Sequence, residues 1–210
     1  MRVSTEKLFL ALIVVVIAAI SIILAYTLYV NEKTATDEVM TFLQEVVSID
    51  VSKYNVTTFN STVTYPDWLN GQSQLTGKCT LDSETNKLDV LYKFRGGTLS
   101  WCLVRNLESQ PHYTTAPSTD VGEVASVFLQ KYQAYSDDSD LETMKNMLNA
   151  VNVAENSTQT EGNLKLIVSV TSFSTSFDWR YTVNGTESSR LYVSFRDGEF
   201  YTFSADKSIY

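Results

Sequence analysis

The densest set of potential ligands in this chain is Asp137, Asp138, Asp140 and Glu142, four carboxylates within six residues. Hard oxygen donors at such density suit a divalent cation such as Ca²⁺. The spacing, however, lacks the central glycine and terminal glutamate of an EF-hand loop. The same stretch also reads as a helix start. Ser139-Asp140-Leu141-Glu142 has the form of a capping box opening a helix over 140–151, and acids at that end complement the helix dipole. Capping accounts for the serine and the glutamate together, so neither a metal nor any other cofactor is expected.

Nucleophilic chemistry has little to work with. The single histidine, His112, stands beside Pro111 in a stretch that reads as a solvated loop. Any Ser-His-Asp or Cys-His centre would have to use it, yet no serine occupies a G-x-S-x-G turn. Motifs of the H-E-x-x-H, C-x-x-C and Walker types are missing from the sequence. A hydrolase working through two acids in a cleft needs no local motif, but nothing marks one, and a non-enzymatic protein is expected. Trp68, Trp101 and Trp179 could form a glycan-stacking face. Trp179 alternates with Phe177 and Tyr181 and reads as core.

Two cysteines, Cys79 and Cys102, are too few for a disulfide scaffold. In a simple meander Cys79 lies opposite Val90, and Val90 opposite Cys102. The cysteines would then stand two strand spacings apart, beyond the roughly 7 Å that a bridge tolerates. A Cys79–Cys102 disulfide and a regular three-strand meander are therefore exclusive alternatives. Asn55, Asn60, Asn156 and Asn184 each begin an N-x-S/T sequon without proline, which makes them candidate glycosylation sites.

What must position these residues begins with a membrane anchor. Leu8–Val30 is an uncharged apolar run, long enough as a helix to cross a bilayer. It exceeds the apolar core of a cleaved signal and offers no A-x-A-like site. Arg2 and Lys7 precede it and acidic residues follow. The expected orientation is a cytoplasmic tip over 1–7, an anchor over 8–30 and all four sequons outside. A net charge of −8 argues against nucleic acid as a partner.

Beyond the anchor the chain echoes itself. Phe42-Leu43-Gln44 recurs as Phe128-Leu129-Gln130, the stretch from Ile49 resembles that from Val151, and Phe94-Arg95-Gly96-Gly97 matches Phe195-Arg196-Asp197-Gly198. Apolar residues at helical spacing (Val39, Phe42, Leu43, Val46, Val47) precede strands of period two in each copy. The fold class expected is α+β: an N-terminal transmembrane helix, then two tandem modules over 31–105 and 121–210, each a helix on an antiparallel sheet. A linker over 106–120 carries Pro111 and Pro117 and joins them.

The anchor, Asp50-Val51-Ser52-Lys53-Tyr54-Asn55-Val56, the tract Leu129–Ser136 and Phe195–Phe200 together resemble a group of archaeal membrane-anchored surface proteins with tandem helix-plus-sheet modules. Each module is similar in topology to cystatin-like or PepSY-like units. The resemblance brings no assigned activity. With the anchor and the sequons, the function expected is a non-enzymatic envelope protein whose paired modules bind a neighbouring protein, a glycan or a peptide. A pilin-like filament or surface subunit is the alternative, since an apolar helix running into an amphipathic one beneath a sheet is common to both.

Overall fold

The computed structural model describes the backbone of residues 5–66 and 71–206, with side chains for 13–21, 34–59, 61–66 and 71–206. Trp68, the side chain of Asn60 and most side chains of the apolar run lie outside the described residues. Residues 1–37 and Glu38–Tyr210 form separate compact units.

The first helix, α1, spans Thr5–Glu45. Among the described residues no helix is long and apolar enough to cross a membrane. The anchor expected over Leu8–Val30 falls mainly on side chains outside the described residues. What is described is apolar and uncovered: Val14, Val15 and Ile17 are each 58–63% exposed.

The unit from Glu38 onward is mixed α and β. A short 3-10 turn (Val51–Lys53) leads to β1 (Asn55–Thr64), β2 (Gln74–Asp82), β3 (Lys87–Arg95) and β4 (Thr98–Glu108). Two helices, α2 (Val121–Ser136) and α3 (Asp140–Asn149), precede β5 (Ser157–Glu161), β6 (Leu164–Val170), β7 (Ser174–Val183), β8 (Thr186–Arg196) and β9 (Glu199–Ala205). Each pair of sheet neighbours is antiparallel, but the two modules do not own separate sheets. They share one nine-stranded sheet in the order β1-β2-β3-β4-β9-β8-β7-β6-β5. This corrects the expectation of two discrete helix-on-sheet modules.

The echo in sequence is an echo in structure. Gly96 and Gly97 (φ 55° and 81°) turn β3 into β4, and Asp197 and Gly198 (φ 51° and 81°) turn β8 into β9. Two consecutive positive φ angles define the tight hairpin turn whose twist suits the strands, and glycine takes its second position at no steric cost. A bulge then follows at the same place: Phe94 pairs with Leu99 but Lys93 with Trp101, and Phe195 pairs with Phe200 but Ser194 with Thr202. The seam between modules is Trp101↔Ser204, Cys102↔Phe203 and Leu103↔Thr202. Equivalent residues 101 positions apart thus exchange partners about Cys102 and Phe203, which lie on a local pseudo-two-fold axis. The extra strand β5 lies outside β6 and has no counterpart beyond β1 among the described residues.

One face of the sheet carries the core. Along β3, Leu88, Val90, Tyr92 and Phe94 are buried and alternate with half-buried Asp89, Leu91, Lys93 and Arg95, as a sheet covered on one side requires. Tyr92 lies so close to Gly77 that a Cβ there would meet its ring at 2.5 Å, which is why this strand interior needs a glycine. The end of α1 and helix α2 cross the seam. Phe42 meets its repeat partner Phe128 edge-on at 6.4 Å and Phe203 at 5.1 Å between ring centroids. Trp179 is fully buried and donates from Nε1 to Met144 O in α3 (3.2 Å), confirming its core reading.

Candidate functional site

The joining segment is not a slack spacer. Strand β4 runs on to Glu108, shortening the linker at its start. The Asp50 amide donates to His112 O (2.8 Å), the Thr114 amide to Ser48 O (2.8 Å) and the His112 amide to Tyr54 Oη (2.8 Å). Ile49 and Tyr113 form a β-bridge. Beneath them the buried Asn86 accepts from Tyr54 Oη (2.7 Å) and donates through Nδ2 to Glu108 O (2.5 Å) and Ser109 O (2.7 Å). A buried amide with this many partners fixes one conformation of the segment.

Pinned in this way, the linker walls two hollows that share Tyr113, Ala116, Pro117, Ser118, Phe195 and Gly198. The smaller, of about 500 Å³, lies between the end of α1, the linker, α2 and the β8–β9 turn. Val46, Val47, Phe128, Phe195 and Phe200 line it and are themselves buried. Glu123 and Lys131 stand at its polar side. The larger, of about 750 Å³, takes in Asp50, Lys53, His112, Asp197 and Glu199. Burial raises the Glu199 carboxyl above its ordinary value, neighbouring Asp197 adds to this, and a hydrogen bond from Asn106 opposes it. Asp50, Asp197 and Glu199 thus line one hollow, and sequence marked none of them for a catalytic role.

His112 is half-buried and engaged, contrary to the solvated-loop expectation. Its Nε2 lies 3.3 Å from Ser83 Oγ and 3.2 Å from Thr85 Oγ1. The Ser83 hydroxyl closes the β2–β3 turn by donating to Asn86 O and accepting from the Asn86 amide, both at 3.0 Å. That is a structural task, and it leaves the serine poorly placed as a nucleophile.

The acidic cluster separates into roles. Asp137 ends α2 in the left-handed region (φ 53°). Asp138 Oδ1 accepts from the Asp140 amide (3.1 Å), whereas Ser139 makes no side-chain cap bond, so the capping box is replaced by an aspartate cap one residue earlier. Asp138 and Asp140 both face Arg190, whose guanidinium takes the place a cation would occupy. Among the described residues no group of three or more His, Cys, Asp or Glu side chains could hold a metal ion. Arg190 is buried because it is the extra residue of a bulge: Trp179 pairs with Leu191 but Arg180 with Ser189.

Cys79 and Cys102 are free and buried. Cys79 faces Val90, as expected, but the β3–β4 register sets Val90 opposite Val104 and Tyr92 opposite Cys102. The regular meander wins over the bridge. Burial pushes the Cys79 thiol up to about 12, with the Asp89 charge adding to the effect, and burial likewise raises Cys102. Since the thiolate is the reactive form, native protein is expected to resist thiol reagents, while denatured protein should titrate two thiols per chain. A value of zero in denaturant would mean a disulfide. Trp101 is half-buried on the sheet face opposite the core, with Lys93 Nζ 5.8 Å from its ring centroid.

The sequons concentrate at the sheet's margins. Asn55 and Asn60 belong to edge strand β1, exposed Asn156 immediately precedes edge strand β5, and exposed Asn184 forms the β7–β8 turn. No known protein family, curated protein or solved structure matches the chain.

Proposed function

We propose that the chain is a membrane-anchored envelope protein whose Glu38–Tyr210 unit works as a non-enzymatic binding module outside the cytoplasm. The observation that carries this reading is the linker-walled pair of hollows, one mainly apolar and one of mixed lining, beside the shared sheet. Sites of this size and lining suit ligand recognition. Support for the address comes from the uncharged run Leu8–Val30, from exposed Ile13, Val14, Val15, Val16, Ile17 and Ile20, and from sequons at the sheet margins. An apolar helix face of this kind calls for lipid or a partner to cover it. Each module's helix-plus-sheet form keeps the cystatin-like or PepSY-like resemblance in play as analogy. A neighbouring envelope protein, a glycan or a peptide fits such a module, and nucleic acid does not.

The pilin-like subunit is the second reading, and one feature favours it: a single helix, Thr5–Glu45, carries the apolar run into the amphipathic segment. Intact mass of the native chain, measured before and after glycosidase, tests both. The envelope reading expects an uncut N-terminus and a mass that falls when sugars are removed or when Asn55, Asn60, Asn156 and Asn184 are changed to Gln. Loss of the first residues by processing would favour the filament. An unglycosylated chain from which protease on intact cells removes nothing would sink the exterior address.

A further inference from the structure

Polar atoms around the smaller hollow are unevenly satisfied. Glu123 accepts from Ser118 Oγ at 2.6 Å, on the linker side. Lys131 Nζ donates to Ser48 Oγ and makes no ion pair among the described residues. It is the cation that lines this hollow, and its hydrogen-bond partner is a neutral hydroxyl. Ser48 holds a positive φ of 69° just past the end of α1, the left-handed turn that closes a helix, with the Ile49 amide donating back to Leu43 O (2.9 Å). Its carbonyl is fixed by the Thr114 amide and hydroxyl (2.8 and 3.2 Å), so the hydroxyl that receives Lys131 has little freedom.

We infer that this hollow is a binding site for a single-chain amphiphile with an anionic head. The tail would lie against Val46, Val47, Val124, Phe128 and Phe195, and the head at Lys131. Two features of the site select this occupant. The buried apolar lining rewards each methylene removed from water by about fourfold in affinity. The ammonium, already stripped of part of its hydration and lacking a carboxylate, supplies the charge that an acid head complements. A cationic or neutral head would leave Lys131 as it is or repel it. The site uses only residues of the Glu38–Tyr210 unit and does not depend on the anchor reading.

The test titrates hexanoate, octanoate, octanol and octyltrimethylammonium onto the full-length chain in phosphatidylcholine nanodiscs, read through the methyl resonances of Val124 and Val127. Saturable shifts with octanoate are expected, strengthened about 16-fold over hexanoate by two methylenes. Octyltrimethylammonium should give none. Lys131→Gln should weaken octanoate about tenfold and leave octanol unchanged, while Lys131→Arg should restore it. Val127, 42% exposed, offers an independent block: Val127→Trp keeps Lys131 but fills the mouth, and should abolish the shifts. Equal binding of all three eight-carbon probes would overturn the assignment. So would octanoate affinity unchanged in Lys131→Gln or Val127→Trp, or shifts confined to residues 13–20, where the acyl chain would simply be entering the bilayer.

Discussion

Phe42→Ala is expected to destabilise the Glu38–Tyr210 unit by about 3–5 kcal/mol, the range for removing a large side chain from a tight core. Phe42 is fully buried, and its ring lies within 6.5 Å, centroid to centroid, of Phe128, Tyr132, Tyr135, Phe200 and Phe203. These partners come from α2 and β9, so the cavity would open where the first module's helix meets the second module's elements. Relaxation into that space would require two helices and a strand to move together. Urea unfolding monitored by tyrosine and tryptophan fluorescence gives the measurement, and a loss below about 1 kcal/mol would mean that the site collapses freely. Phe128→Ala at the equivalent position should cost a similar amount. The double variant should fall short of additivity because the two rings touch.

A loss of similar size is expected from Arg190→Met, by a different route. The side chains of Arg190 and Asp138 are 4% and 10% exposed, so removing the guanidinium strands a carboxylate in a dry site. Breaking a buried pair from one side costs about 3–5 kcal/mol. Replacing both partners, as in Arg190→Met with Asp138→Leu, should recover much of this, because a well-packed apolar pair needs no solvation. Asp138 also caps α3, so recovery will be incomplete by about 1 kcal/mol. If the double variant were less stable than Arg190→Met alone, the ion pair would not be what holds α2, α3 and β8 in place.

Hairpins and helices were legible because their signals are local. Asn184-Gly185 and Asp197-Gly198 sit at the turns that their types demand, and the period-two runs from Leu75, Leu88 and Leu164 are strands. Sequence also exposed the duplication, since a hairpin repeated with its turn leaves a short echo, here identical at three of the four residues Phe94–Gly97 and Phe195–Gly198. The β4–β9 seam left no such trace, because pairing between strands almost a hundred residues apart depends on how whole modules dock. Arg190 was missed for a related reason. On an ordinary alternating strand it would point outward, and only the extra residue against Trp179 and Arg180 turns it to the buried side. The hollows are the product of a linker that composition marks as irregular but whose tethers (Ser48, Asp50, Tyr54, Asn86) lie elsewhere in the chain. The capping box at Ser139 was misplaced because Asp138, one residue earlier, takes the cap and is held there by Arg190, a partner that local spacing does not show.

The pairing of Cys102 with Phe203 separates this molecule from any assembly of two identical halves. When separate copies meet about a dyad, whatever sits on the axis must confront itself, and two bulky rings or two small thiols would fit badly. Joining the halves in one polypeptide lifts that restriction. One side could grow to an aromatic while the other stayed small, and the chain keeps a symmetric scaffold with an asymmetric hinge line that no free dimer could build.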